Sequence, residues 1–275
     1  MDLPALLLKT VYLRPYVFLF LLVSLASAGR LLGWRRTVLF FSITWATAFV
    51  CEYSSTRTGI PFGWYYYTGS TVGQELYLSN VPFMDSLSFT FLLYASYCLA
   101  LVFLLPARCA VPDAGHPARE PGGFRWTLSF EAEPRPAWPV VGLSALLLAL
   151  IDVVIDPVAL RGGRWFLGQI YYYPEPGLYF GVPLSNFVGW GIVGLIALAG
   201  YRLAEARLSA GSVQRTRMAA GDLLVGCGLY YGVLLFNLAV TFWIGEFLLG
   251  MTGVLLFVPI TTLLLLRLGG MLRLS

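Results

Sequence analysis

The chain has 275 residues, of which 58% are hydrophobic and only 12% charged, and its mean hydropathy is +0.76. A soluble domain of this size would have too few polar side chains to cover its surface, so the composition excludes one and points to an integral membrane protein. The formal net charge of +4 describes how basic residues are shared between the two membrane faces and needs no nucleic acid to explain it.

Apolar runs close to the ~20 residues of a helical span recur along the whole chain, and the Gly and Pro scattered inside them favour helices over barrel strands. Seven spans are expected, at roughly 15–29, 37–53, 82–105, 138–159, 182–203, 221–242 and 244–266. The opening "MDLPALLLKTVYLRP" carries Asp2 and lacks a basic start followed by a small-residue cleavage site. It is therefore expected to be an interfacial lead-in rather than a removed signal peptide. Residues 1–275 read as one all-α polytopic domain with a polar loop at about 107–137. Thirteen arginines, from Arg30, Arg35 and Arg36 through to Arg267 and Arg273, fall on one side of the spans, against Lys9, Arg14, Arg57, Arg161 and Arg164 on the other. That imbalance predicts a multi-pass protein of the cell (inner) membrane whose arginine-rich loops are cytoplasmic.

Cys51, Cys98, Cys109 and Cys227 show no CxxC spacing, and the only histidine is His116. A metal site, a haem site or a Ser-His-Asp triad is not expected from this set. Any chemistry has to come from carboxylates, hydroxyls and aromatic rings.

Two stretches stand in matching contexts. In the first, a span ends near Glu52, a loop carries Trp64, Tyr65, Tyr66 and Tyr67, and the next span opens with Val81-Pro82 three residues before Asp85. In the second, a span ends near Asp152 and Asp156, the loop carries Trp165, Tyr171, Tyr172 and Tyr173, and the next opens with Val182-Pro183 three residues before Asn186. The pattern suggests an internal parallel repeat with halves at about 37–105 and 138–203, both aromatic loops lying on the outer side.

Few acids lie in or near the apolar spans: Glu52, Asp85, Asp152, Asp156, Asp222 and Glu246. An ionised carboxylate at bilayer depth costs several kcal/mol, which makes each one a functional candidate. Asp222 and Glu246 sit at span ends and are expected to face the interface. Asp152 and Asp156 share a helix face, where two acids in a poor dielectric cannot both ionise cheaply, so one keeps a proton. The alternative is that Asp156 turns the chain before Pro157 while Asp152 pairs with Arg161 or Arg164. Tyr and Trp collect at membrane interfaces in general. Two Tyr triplets beside acids also suit a reaction that makes a carbocation, because aromatic faces attract cations without attacking them.

The blocks "EYSSTRTGIPFGWYYYT", "NVPFMDSLSF", "DVVIDPVALRGGRW" and "YYYPEPGLYFGVPLSNFVGW" resemble the bacterial and archaeal carotenoid biosynthesis membrane proteins, a family that includes bisanhydrobacterioruberin hydratase and carotenoid end-group hydratases. The resemblance covers roughly residues 35 to 265. It implies cofactor-independent addition of water to the terminal double bond of an acyclic end group, with an apolar carotenoid in a lipid bilayer as partner and other enzymes of the pathway as further partners. The chain has no GxGxxG fingerprint or P-loop. On this reading Asp152 and Asp156 form the acid pair, and Glu52 and Asp85 position water or accept its proton. Trp64, Tyr65, Tyr66, Tyr67, Tyr171, Tyr172, Tyr173, Asn186 and Trp190 would then line the substrate pocket. A lycopene-type cyclase begins with the same protonation, and a carotenoid-binding scaffold or a transporter is the non-catalytic alternative.

Overall fold

The computed structural model describes residues 3–110, 127–132, 135–208 and 216–273. His116 and most of the polar 107–137 loop lie outside the described residues. Eight helices follow in chain order: α1 (Leu3–Leu13), α2 (Pro15–Leu31), α3 (Trp34–Thr58), α4 (Phe83–Leu104), α5 (Trp138–Ala159), α6 (Leu184–Leu208), α7 (Ala220–Trp243) and α8 (Phe247–Arg273). Six of them, α3 to α8, are individually long and apolar enough to cross a membrane. The α1–α2 pair is bent by 92°, so α1 turns away from α2 at Arg14-Pro15. Pro15 occupies the first turn of α2, where its missing N–H would have had no partner.

Hydropathy alone ends the second span near residue 53, yet α3 continues through the polar turn Glu52–Thr58 to Gly59. Gly59 has φ of 74° and its N–H bonds to the Ser55 carbonyl, a left-handed cap that closes the helix. The extra turn carries Glu52 and Ser55 inward, both buried. Pro82 stands at the N-cap of α4, and Pro183 directly precedes α6.

The central element is α4, 78% of whose most apolar stretch is buried, against 28% for α8. It packs on α2, α3, α5 and α7, while α6 closes against α3 and α5. Small residues let these helices approach: a Cβ on Gly226 of α7 would lie 2.3 Å from Cys98 Sγ of α4, and one on Gly194 of α6 would lie 2.9 Å from Ala145 Cα of α5.

The two ends of the bundle differ. At one end, β4 (Ala107–Ala110), β5 (Thr127–Ala132) and β7 (Thr216–Ala219) form a three-stranded antiparallel sheet in the order β4-β5-β7. At the other, β1 (Tyr66–Tyr67) pairs antiparallel with β6 (Tyr171–Tyr172), matching Tyr66 to Tyr172 and Tyr67 to Tyr171. The hairpin β2 (Tyr77–Leu78) and β3 (Val81–Pro82) leads into α4. The two tyrosine loops, a hundred residues apart in the chain, are thus one joined structure.

Candidate active site

The paired strands sort their aromatic residues by the pleat, which sends successive side chains to opposite faces. Tyr65, Tyr67, Tyr171 and Tyr173 point inward and line a cavity beneath the loops. Trp64, Tyr66 and Tyr172 point away, 49%, 39% and 41% exposed. These three do not line the cavity; Tyr66 packs on Trp64 and Tyr172 on its outer face. The inward rings meet edge to face, with centroids 5.4 Å apart for Tyr65 and Tyr67 and 6.1 Å for Tyr65 and Tyr171. Burial, and then the nearby Glu52 carboxylate, raises the pKa of the Tyr65 and Tyr67 phenols well above the ordinary value. Burial followed by Asp156 does the same for Tyr171 and Tyr173. All four remain neutral hydroxyl donors through the physiological range.

The cavity measures about 180 Å³ and reaches from the tyrosines down between α2, α3, α4, α5, α6 and α7. Four carboxylates from the spans face it, and the partners of three, Glu52, Asp152 and Asp156, divide into two stations. Glu52, 4% exposed, accepts a hydrogen bond from Tyr67 Oη at 3.1 Å and another from Ser86 Oγ. Asp156 accepts from Tyr173 Oη at 2.8 Å, from Tyr171 Oη, and from Asn186 Nδ2 at 2.9 Å. The same Asn186 Nδ2 donates at 2.7 Å to Asp152 Oδ2, so one amide group links the two acids through both of its hydrogens. Asp152 is fully buried, and its Oδ1 has no hydrogen-bond partner among the described residues. The four-residue spacing on α5 and the offset of Asn186 from Pro183 bring this triad together.

The remaining acids behave otherwise. Asp85, three residues after Pro82 as Asn186 is after Pro183, turns to Arg14, whose guanidinium lies 2.5 Å from Asp85 and 2.8 Å from Glu75. The residue facing the acid of the first half is Ser86, one position further along. Asp85 lines the cavity as the partner of a buried arginine. Asp222 pairs with Arg30 at 2.8 Å, and Glu246 takes Arg161 at 3.3 Å as well as Arg164. Those arginines are thereby engaged away from Asp152.

Arg14, Tyr16, Phe62, Phe236 and Asn237 in the cavity wall, and Ser86 behind Glu52, go beyond the residues that the sequence singles out. The isolated Arg14 beside an apolar run was a usable signal for a buried ion pair; the aromatic wall residues carry none. Trp190 stacks on Phe89 with centroids 4.0 Å apart, and Gly189 lets Phe62 approach so closely that a Cβ there would lie 2.5 Å from the ring. Together these close the α4–α6 side of the cavity.

A bundle of apolar spans that buries carboxylates under a roof of tyrosines is a polytopic membrane protein with a sheltered acid cavity. The chain belongs to a family of carotenoid biosynthesis proteins, whose family model matches residues 10–259. No curated protein and no solved structure matches it.

Proposed function

We propose that this member of the family is an end-group hydratase, adding water to the terminal double bond of an acyclic carotenoid to give a tertiary alcohol. The observation that carries the reading is the Asp152–Asn186–Asp156 triad, two buried acids joined by one amide beneath aromatic rings. Three donors converge on Asp156 and make it the place for negative charge. Asp152, with one donor and an unpartnered Oδ1, holds the proton.

The reaction begins when the Asp152 proton moves to the less substituted alkene carbon and the π electrons form that C–H bond. The tertiary cation left behind sits among the faces of Tyr65, Tyr67, Tyr171 and Tyr173, each ring worth ~0.5–2 kcal/mol toward a cation, with the Asp156 charge beside it. Water held by Glu52 attacks through an oxygen lone pair, and Glu52 takes the released proton. Its return to Asp152 closes the cycle, with one water added and nothing else consumed. The polar groups of the cavity wall, Glu52, Ser88 and Asn237 among them, give that water a place. We place the tyrosine loops on the outer side, following the arginine distribution.

The test is co-expression in cells that accumulate lycopene, followed by mass spectrometry of the pigments. A product heavier by one water supports the hydratase, an isomer means cyclisation, and an unchanged profile with several acyclic substrates sinks the enzyme reading.

A further inference from the structure

The cavity is too small for a whole carotenoid. Pockets that enclose a drug-sized ligand run to ~300–1,000 Å³, whereas this one measures about 180 Å³. A substrate whose end group sits at the acid triad must leave the rest of its chain outside, so the cavity needs an opening onto hydrocarbon. The side toward α6 is closed by the Phe89–Trp190 stack and the Phe62–Gly189 contact.

The side toward α2 and α7 is built differently. At the end far from the cavity the two helices are tied by polar bonds: Arg30 to the Asp222 carboxylate at 2.8 Å, and Ser27 Oγ to the Asp222 carbonyl at 3.0 Å. At the cavity end, no hydrogen bond or ion pair joins the two helices among the described residues, and aromatic rings meet there instead. Tyr16 stacks on Phe236 at 5.7 Å, and Phe20 meets it at 6.4 Å. Phe166, from the loop after α5, touches Tyr16 at 5.3 Å and Phe236 at 6.0 Å, and is 48% exposed. Tyr16, Phe20 and Phe236 also line the cavity, so these rings have acid chemistry on one side and lipid on the other. Leu19 and Leu235, their neighbours in sequence, are 61% and 62% exposed on the apolar outer surface.

We propose that the gap between α2 and α7 at the tyrosine end is the lateral portal through which the polyene chain passes from the bilayer to the cavity, with Phe20, Phe166 and Phe236 as its gate and as the aromatic subsite for the chain next to the reacting end. The proposal rests on the carotenoid reading of the substrate but not on the outcome of the chemistry. The rings give way by side-chain rotation, because among the described residues no hydrogen bond between α2 and α7 at that end has to break.

The experiment uses the full-length protein in vesicles, with lycopene delivered from donor liposomes and its capture read as quenching of intrinsic tryptophan emission. Phe20→Ala and Phe236→Ala are expected to speed quenching several-fold, while Leu263→Ala and Val188→Ala, exposed on α8 and α6 away from the gate, leave the rate unchanged. Saturable quenching of the wild type with no acceleration in the gate variants overturns the portal and leaves the carotenoid reading standing. Acceleration without any hydrated product overturns the hydratase and leaves the portal. Absence of quenching in the wild type, or quenching by a brominated phospholipid that lycopene cannot displace, overturns the carotenoid occupant and the portal together.

Discussion

At the scale of single residues, the proposed chemistry comes down to which carboxylate holds a proton and what keeps it there. Asp152→Asn removes the donor and Asp156→Asn the charge beside the cation, and each is expected to lower hydration of lycopene by ~10²–10⁴-fold while the protein still inserts. Tyr171→Phe leaves Asp156 with two of its three donors and should cost less, on the order of tenfold, as measured by initial rates in membranes. The acid pair was legible because a spacing of four on an apolar helix has one physical consequence. Asn186 was legible through its distance from Pro183. Asp85 stands at the same offset from Pro82, yet it reaches Arg14, a partner 71 residues away that no local pattern predicts, while its neighbour Ser86 turns to Glu52. The inward and outward tyrosines could have been separated by the period of two that paired strands impose, but a four-residue aromatic run has no polar residue to mark its phase.

At the scale of elements, the cavity depends on close helix contact at one level and on a buried ion pair at another. Gly226→Ala drives a methyl group to 2.3 Å from Cys98 Sγ on the central helix. It should destabilise the α4–α7 contact by ~1–3 kcal/mol, visible as a lower unfolding temperature in detergent, and Cys98→Ala in the same chain should recover much of the loss. Arg14 lies at the 92° bend between α1 and α2 and joins it to Glu75 of the loop and Asp85 of α4. Arg14→Met leaves two acids without their cation and is expected to cost ~3–5 kcal/mol. Removing all three charges as Arg14→Met, Glu75→Gln and Asp85→Asn should be far milder by the same melting measurement. The spans were readable from hydropathy to within a few residues, since crossing a bilayer demands length and apolarity whatever the tertiary context. The polar last turn of α3 was not, because Ser55 and Thr56 are buried while Arg57 and Thr58 face outward, Ser55 taking the Phe62 N–H inside the protein.

At the scale of the whole molecule, one bundle carries the acid cavity and its tyrosine loops at one end and the three-stranded sheet at the other. The internal repeat is a proposal; the antiparallel β1–β6 pair brings its two tyrosine loops together, matching Tyr66 to Tyr172 and Tyr67 to Tyr171. The proposed orientation predicts that Val72→Cys, exposed in the tyrosine loops, reacts with an impermeant thiol reagent in intact cells, and that Arg35→Cys, exposed at the start of α3, reacts only after the membrane is opened. The reverse labelling would invert the topology. The most direct test of the central claim is to incubate wild-type and Asp152→Asn membranes with lycopene in heavy-oxygen water and weigh the products. The acid-triad hydratase predicts a wild-type product heavier by one water that carries the heavy oxygen, and almost none from Asp152→Asn. An isomeric product, an unchanged pigment, or equal hydration by the variant would contradict it.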